Sequence, residues 1–440
     1  MAEQTYKTQT KSITLNHIAR VEGLGSLQVN IEDGKLEKAQ FKVLEGARFF
    51  EGFIKGTYYE EVPQVISRIC AICSVSHNLN ASRAVENALG IVPSKQTKML
   101  RKLLIYSEFI QSHVLHEYFL ALPDYVRQPS AIALASTHPD LVNQAFRHKA
   151  LANEMQRTIG GRAVHPIRNR IGHFTKFPTE SELLDFKTKL TPLIDETMAT
   201  IKLLREIPNQ PSVQAEGDWV ALYDAEEYPY CESDLIDHGK GDPFHKSIYK
   251  SKLIEEVRPY SHTKFASING QSFMVGALAR LNINYNSLTN KGKEALELSK
   301  LKLPDRDPYH INMGQLIETV DCAQRSIDII DYFLDKGFTK EKPDFSGIKP
   351  GHGIACTEAP RGLLIHDYTF DEDFKVTQAN IITPTAFNQH KMETDCNDLI
   401  PIIKNEPQEE IELKLNMLVR AYDPCISCSA HSVRLDIKFV

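Results

Sequence analysis

The chain has 440 residues, of which 42% are hydrophobic and 25% charged, and its formal net charge is −6. This composition excludes a disordered chain, and the small negative charge leaves no basic face for nucleic acid. Because the sequence has no run of about 18 apolar residues and its first residues lack an apolar core, we expect neither a membrane span nor a signal peptide.

Alternating apolar and polar residues predict strands near the N-terminus, and a helical period follows. The predicted strands cover 12–15, 25–31 and 39–44, with a turn at 32–34. The predicted amphipathic helices cover 61–89, 94–120, 139–159, 180–206, 291–301 and 313–336. We therefore expect an N-terminal β region over 1–58 and a helical bundle in two parts, over 59–211 and 269–343.

The remaining segments predict further small β elements. Residues 212–268 are rich in Tyr, Asp and Gly, which indicates an insertion of loops and short strands. In the C-terminal region, 344–440, we predict strands over 362–368 and 376–382, before a last helical stretch over 395–422 that prolines interrupt. The predicted fold class is α+β, mainly α. A central bundle of long helices is flanked by small β-sheets from the N-terminal and C-terminal segments, all in one packed unit.

Two Cys-x-x-Cys pairs lie near opposite ends of the chain, Cys70 with Cys73 and Cys425 with Cys428. Each pair can chelate one ion from a single turn of chain, so together they predict a four-thiolate metal site. A structural zinc is the commonest use of such pairs, although zinc ribbons place them much closer together. A functional transition metal and redox-active thiols are the other interpretations. The spacing alone leaves all three open.

The other cysteines stand alone in the sequence, without ligand spacing. They are Cys231, Cys322, Cys356 and Cys396. We expect them to be reduced, buried core residues of a cytoplasmic protein.

Further short motifs surround the two pairs and span nearly the whole chain. In order, they are Arg20-Val21-Glu22-Gly23, Arg68-x-Cys70-x-x-Cys73-x-x-x-His77, Gly160-Gly161-Arg162-x-x-His165-Pro166, Glu358-Ala359-Pro360-Arg361-Gly362, Pro384-Thr385 and Asp423-Pro424-Cys425-x-x-Cys428-x-x-His431. Together they resemble the large, catalytic subunit of nickel-iron hydrogenases. The resemblance implies reversible heterolytic cleavage of dihydrogen to protons and electrons.

The resemblance also implies a metal centre and its ligands. All four cysteines would bind nickel, and Cys73 and Cys428 would also bridge to an iron that carries cyanide and carbon monoxide. Soft thiolates suit both metals. Cys425 would accept the proton from dihydrogen and pass it to Glu22, which by itself reads as a surface acid at a turn. Arg361, otherwise a solvated charge, would lie over the open metal face.

Other residues match groups that support the centre in this family. His77 would donate a hydrogen bond to the sulfur of a bridging cysteine, although it could also be a core histidine. Thr385, after Pro384, would donate to an iron cyanide, although it could also be a capping residue. Glu51, the backbone carbonyl of Ile381 and His431 match a magnesium ligand set. Oxygen ligands make magnesium plausible there.

The resemblance extends to partners and processing. Electrons would leave through a small subunit with iron-sulfur clusters, packed against the face that holds Cys70 and Cys73. Further subunits would link to a nicotinamide, heterodisulfide or ferredoxin acceptor, as in the cytoplasmic multi-subunit hydrogenases, and maturation factors would load the metals. Residues 432–440 are either a pro-segment or a permanent tail, which alternates like a strand. The rival hypothesis is a non-catalytic scaffold subunit whose four cysteines hold a structural zinc.

Overall fold

The central helical bundle dominates the structure, a computed structural model that describes residues 10–32, 35–341 and 343–430. Its long helices are Ser74–Leu89, Lys95–Val114, Pro139–Gly160, Glu180–Glu206, Asn290–Ser299 and Ile311–Lys336. Their apolar faces share one core that includes Leu104, Met155, Leu190 and Leu316. Burial of these side chains is the main force that holds the helices together.

The Glu180–Glu206 helix shows how local sequence sets the ends of an element. Thr179 accepts a hydrogen bond at Oγ1 from the backbone N–H of Glu182 (3.3 Å), and the Glu182 carboxylate accepts one from the Thr179 N–H (2.7 Å). This reciprocal capping box satisfies donors that a helix start leaves unpaired. The chain becomes extended at Ile207, the residue before a proline.

The N-terminal segment forms a three-stranded antiparallel sheet of Thr10–Leu15, Gly25–Glu32 and Lys35–Val43. Leu27 pairs with Phe41, and both side chains are fully buried. They belong to a second core that also contains apolar residues of the helices Pro384–Ile403 and Gln408–Ala421. The predicted turn at 32–34 lies largely outside the described residues.

A second antiparallel sheet consists of His352–Ala359, Gly362–Phe370 and Val376–Ile382. It packs on the Ser74–Leu89 helix so closely that a Cβ at Gly353 would lie 2.2 Å from a backbone oxygen of that helix. The first two strands pair up to Ala359 opposite Gly362, so that only Pro360 and Arg361 form the turn. This short turn fixes the position of the Arg361 backbone.

Shorter elements complete the described parts of the chain. The short α-helices are Phe50–Phe53, Val62–Ile66, Leu122–Tyr125, Ala131–Thr137, Tyr249–Lys252, Ala277–Asn284 and Ile426–Ser429. The 3₁₀ turns are Ser67–Ile69, Lys246–Ile248, Tyr285–Ser287 and Pro308–His310, and Leu115–Ala121 is a π-helical segment. The short strands are Asn169–Arg170, His173–Phe174, Asp218–Trp219, Ala221–Tyr223, Leu235–Asp237, Phe244–His245, Leu253–Val257, Lys264–Ile268 and Phe273–Met274.

Several element predictions were wrong, for identifiable reasons. The predicted helix over 61–89 is interrupted around Cys70, whose backbone is extended (φ −145°, ψ 144°). The last helical stretch begins at Pro384 rather than at 395, because proline is well tolerated in the first turn of a helix. The strand His352–Ala359 was missed because seven of its eight residues are buried, which removes the alternating pattern. The α+β, mainly α, fold class is confirmed.

Candidate metal centre

The two chain ends meet where the two cysteine pairs lie. The backbone N–H of Ile426 donates to the carbonyl of Glu22 (3.0 Å), which joins the N-terminal segment to the second pair. Arg48 donates from Nη2 to the carbonyl of Ile69 (2.5 Å), beside the first pair, and to the carbonyl of Ser427, inside the second pair. Arg48 therefore clamps both cysteine loops, a role that no sequence motif suggested.

The four cysteine sulfurs form one compact cluster. The Sγ atoms of Cys70 and Cys425 are 3.2 Å apart, those of Cys73 and Cys428 are 2.9 Å apart, and those of Cys425 and Cys428 are 3.2 Å apart. All four lie within 4.8 Å of one another and all four side chains are buried. Burial raises the pKa of the Cys425 thiol well above its usual range, so four thiolates here need a cation. This arrangement suits one shared metal site better than two separate redox pairs.

Glu22 lies directly against this cluster. Its Oε2 is 3.3 Å from the Sγ of Cys425 and accepts a hydrogen bond from the backbone N–H of Ser427 (2.9 Å). The side chain is partly buried rather than fully solvated. Its carboxylate is within hydrogen-bond reach of a ligand sulfur, as a proton acceptor requires.

Arg361 is a buried charge at the same centre, only 3% exposed. It donates from Nε to the carbonyl of Asp423 (2.7 Å) and from Nη2 to Oδ1 of Asp423 (2.8 Å). Burial lowers its pKa, but the negative charge of Asp423 and the neighbouring thiolates hold that pKa well above the usual range. The alternative of a solvated charge is wrong for this residue.

A small cavity opens beside the sulfurs. Its lining residues are Cys73, His77, Ala359, Arg361, Leu364, Pro384, Thr385, Cys425 and Cys428. Thr385 accepts a hydrogen bond at Oγ1 from the backbone N–H of Cys425 (3.0 Å). Because a hydroxyl has one proton and its oxygen accepts here, its O–H can donate towards the cavity.

His77 lies beside a ligand sulfur, and a chain of hydrogen bonds on the other side orders its ring. Its Nε2 is 3.5 Å from the Sγ of Cys428, and its Nδ1 is 3.3 Å from Nε2 of His366, whose Nδ1 is 2.9 Å from the hydroxyl of Tyr368. If the tyrosine donates, each ring must donate from Nε2 in turn, so the last proton points at the sulfur. Neither His366 nor Tyr368 was identified as a site residue from the sequence.

The predicted magnesium ligands are only partly described. Glu51 accepts hydrogen bonds at Oε1 from the backbone N–H of Ile381 (2.8 Å) and from the ammonium of Lys264 (3.1 Å). Lys264 also lies 3.2 Å from Glu255. The third predicted ligand, His431, lies outside the described residues. The carboxylate is next to Ile381, as a shared cation site would require, and the donor set is partly oxygen.

Glu108 supports the first cysteine pair and was also missed by sequence analysis. It is fully buried and accepts hydrogen bonds from the backbone N–H groups of Val75 (2.6 Å) and Ser76 (2.9 Å). These groups belong to the first turn of the helix that Cys73 caps. The two oxygens of this carboxyl group satisfy donors that a helix start leaves unpaired, and burial raises the pKa of the group to about 8.

The family of nickel-dependent hydrogenases matches residues 48–178 and 221–431, which include all four cysteines. The chain belongs to this family. It is the large, catalytic subunit of a hydrogenase, an oxidoreductase that acts on hydrogen, and its four-cysteine cluster is a nickel site that implies a nickel–iron centre. This membership favours the enzyme over the structural-zinc scaffold.

Relatives of this hydrogenase match it along nearly their full length. Sulfhydrogenase 1 subunit alpha of Pyrococcus furiosus is 35% identical over 423 residues, 96% of this chain and 98% of the relative. The beta subunit of the NAD-reducing hydrogenase HoxS of Cupriavidus necator is 26% identical, covering 96% of this chain and 95% of the relative. These relatives are subunits of multi-subunit enzymes, which implies a small-subunit partner for this hydrogenase.

Solved structures share the fold. An NAD⁺-reducing NiFe hydrogenase in the H₂-reduced state superimposes with a TM-score of 0.84 at 24% identity, covering 97% of this chain and all of that chain. The reduced NiFeSe hydrogenase of Desulfovibrio vulgaris Hildenborough gives a TM-score of 0.75 at 20% identity, covering 96% of this chain and all of that chain. Within the residues that the structure describes, no helix combines the length and apolarity needed to cross a membrane.

Proposed function

We propose that the four cysteines hold nickel and that Cys73 and Cys428 also hold iron. The sulfurs of Cys73 and Cys428 are 2.9 Å apart, and both residues line the small cavity beside the cluster. The donor set is soft and buried, as nickel and low-spin iron prefer. When bound, the nickel–iron centre supplies the electrophile that polarises dihydrogen for heterolytic cleavage.

Cys425 and Glu22 take the proton. The Sγ of Cys425 is the first acceptor, and Oε2 of Glu22, at 3.3 Å, is the next station. The Ser427 N–H that Glu22 accepts holds the carboxylate in this orientation. Proton transfer over such a distance needs no rearrangement of the backbone.

Arg361 acts as a fixed cation over the cavity. Its contacts with Asp423 orient the guanidinium, and its position in the cavity wall places positive charge beside the reacting atoms. In a buried site such preorganised charge is worth far more than in water.

Thr385 would act on a ligand of the iron, and His77 on one of the sulfurs that would hold it. We assign cyanide and carbon monoxide as the iron ligands, with the Thr385 O–H as donor to one cyanide nitrogen and Pro384 shaping the wall beside it. The His77 Nε2–H donates to the Cys428 sulfur and reduces the electron density that this thiolate offers to the metals.

A magnesium ion is proposed at Glu51, the carbonyl of Ile381 and His431. The hydrogen bond between the Glu51 carboxylate and the Ile381 N–H supports this assignment, because it holds the carboxylate beside the residue whose carbonyl would be the second ligand. Waters would complete the octahedral shell and connect the site to Glu22.

Electrons require a partner with iron-sulfur clusters. The four remaining cysteines are buried, and the metal-ligand cluster in the described part of the chain contains none of them. We assign a small subunit that carries the clusters to the face of Cys70 and Cys73, with an acceptor linked to nicotinamide, heterodisulfide or ferredoxin beyond it. We also assign a cytoplasmic location, and maturation factors that load the metals. The named NAD-reducing relative supports such an assembly.

Metal analysis and infrared spectroscopy test the proposal together. Nickel and iron near one each per chain, with cyanide and carbon monoxide bands, are the expected result. Zinc as the sole metal at the cluster would instead support the hypothesis of a non-catalytic scaffold subunit. If Glu51→Gln leaves the magnesium content unchanged, the proposed magnesium site is wrong. Mass spectrometry of the purified chain would show whether residues 432–440 remain.

A further inference from the structure

A buried arginine outside the motifs contacts the turn that carries Arg361. Arg280, in the Ala277–Asn284 helix, has no solvent exposure and is not part of the cavity wall beside the sulfurs. Its guanidinium lies over the ring of Phe109, 5.0 Å from the centroid. A buried cation of this kind is tolerated only where its donors and its charge are matched.

Every N–H of the Arg280 guanidinium has an acceptor. Its contacts are Nε to Glu318 Oε1 (2.6 Å), Nη1 to Glu358 Oε2 (2.9 Å) and to the Ala359 carbonyl (3.0 Å), and Nη2 to Glu318 Oε2 (2.6 Å) and to the Pro360 carbonyl (2.9 Å). Five donors in one rigid plane therefore reach five acceptors. A lysine ammonium could not reproduce this pattern.

Three of the acceptors belong to the residues immediately before Arg361. They are the Glu358 carboxylate and the carbonyls of Ala359 and Pro360. Buried carbonyls need donors, and these two lie at a turn of only two residues, where strand pairing ends. Arg280 supplies donors to both and so fixes the direction in which the chain enters Arg361.

The backbone on the two sides is also in direct contact. A Cβ at Gly362, just after Arg361, would lie 2.8 Å from the backbone nitrogen of Gly276, at the start of the Arg280 helix. A Cβ at Gly276 would lie 3.1 Å from the carbonyl oxygen of Arg361. Displacement of the Arg280 helix would therefore reach the turn through the main chain.

Other groups hold Arg280 in turn. Glu318 also accepts hydrogen bonds from the hydroxyl of Tyr228 (2.7 Å) and from Nε2 of His113 (3.0 Å). Burial raises the pKa of Glu318, but the charge of Arg280 lowers it to about 2, so this carboxylate stays ionised. The cation therefore keeps its partner throughout the working pH range.

We propose that Arg280 is a positioning residue that sets the Arg361 guanidinium over the metal centre by holding the Ala359 and Pro360 carbonyls. This inference rests on the proposed role of Arg361. Arg280 itself touches neither the cavity nor the sulfurs, so it would act on the reaction only through the turn.

A double-mutant cycle on the metal-loaded enzyme tests this. Hydrogen–deuterium exchange is measured for Arg280→Lys, Arg361→Lys and the double variant, with nickel content and melting temperature determined for each. We expect Arg361→Lys to slow exchange about 100-fold and Arg280→Lys about tenfold, with the double variant no slower than Arg361→Lys alone. A residue that acts only through Arg361 has nothing left to lose once Arg361 is replaced.

Arg101 offers a matched control. It is also buried and forms a two-pronged pair with Glu86 (2.6 and 2.7 Å), but its contacts lie away from the turn. Arg101→Lys should match Arg280→Lys in melting temperature while leaving exchange near the wild-type rate. Should Arg280→Lys not accumulate, Glu318→Gln takes its place in the same cycle.

Two outcomes would overturn the inference in different ways. If the effects of the Arg280 and Arg361 substitutions on the exchange rate multiply, Arg280 is only a general stabiliser of the core. The same conclusion follows if Arg101→Lys slows exchange as much as Arg280→Lys does. Wild-type exchange in Arg361→Lys would instead remove the proposed role of Arg361, and the positioning role would fall with it.

Discussion

The Oε2 atom of Glu22 lies 3.3 Å from the Sγ of Cys425, although the two residues are 403 positions apart in the sequence. The same carboxylate oxygen accepts the backbone N–H of Ser427 (2.9 Å), so the contact is held by the main chain of the second cysteine pair. A carboxylate fixed beside a ligand sulfur is the feature from which the proposed proton path follows.

Replacement of Glu22 by Gln should abolish proton transfer without loss of metal. The amide keeps the shape of the side chain but cannot accept and release the proton, so we expect hydrogen–deuterium exchange to fall by about 10² to 10⁴-fold. Nickel and iron content should stay at the wild-type level. Glu45→Gln is the control, because Glu45 contacts the Ser427 hydroxyl (3.1 Å) rather than the sulfur. Unchanged exchange in the Glu22 variant would refute the relay.

Replacement of Thr385 by Val should remove the donor to one iron cyanide, together with the acceptor of the Cys425 N–H. Valine keeps the size of the side chain and removes the only proton that it can donate, so we expect one cyanide infrared band to shift while the carbon monoxide band changes little. Thr383→Val, two residues earlier and equally buried, should leave the spectrum unchanged. Identical spectra for both variants and the wild type would argue against a hydrogen bond from Thr385.

Replacement of Glu108 by Gln should destabilise the helix start beside Cys73 and weaken metal binding by the first cysteine pair. Its carboxylate accepts the Val75 and Ser76 N–H groups, and an amide turned the wrong way would oppose them with its own donors. We expect a loss of about 1 to 3 kcal/mol in unfolding free energy and faster loss of nickel to a chelator. Glu154→Gln, at an exposed ion pair with Lys189, is the control. Equal nickel retention in both variants would contradict the prediction.

His116 should make stability depend on pH. Its Nε2 donates to the carbonyl of Arg420 (2.6 Å), and its Nδ1 lies 2.7 Å from Oε1 of Gln315 and 3.0 Å from Oε1 of Glu117. Burial lowers the pKa of this imidazole, but the charges of Asp423 and Glu117 and these hydrogen bonds raise it to about 9. Because this pKa is above that of an unfolded histidine, about 6.5, the protonated ring stabilises the fold.

This stabilisation should be complete below about pH 6.5 and lost as the pH rises through about 9. Melting temperatures of the wild type and His116→Gln should therefore differ most near neutral and acidic pH, by an amount that corresponds to about 3 kcal/mol at most. Above pH 9 the difference should shrink to a constant remainder, because only the part that depends on the charge is lost. A constant difference over this range would mean that His116 is not charged in the folded protein.

Much of the secondary structure follows from local sequence. The helical period predicted the Glu180–Glu206 helix with its observed bounds, and Thr179, Glu182 and the proline after Ile207 mark its ends. The His352–Ala359 strand was missed, since a strand that is buried on both faces loses its alternation. The start of the Pro384–Ile403 helix was also missed, because proline and the preceding strand obscured it.

The cysteine spacing and the motifs beside it determined the kind of site, since ligand type and order along the chain are properties of sequence. Only the tertiary structure decided which groups meet there. Arg48, Glu108 and Arg280 carry no motif, yet they clamp the cysteine loops, cap the helix at Cys73 and hold the turn before Arg361. Such contacts join residues that are distant in the chain, and they depend on how buried helices and strands pack, which local patterns do not encode.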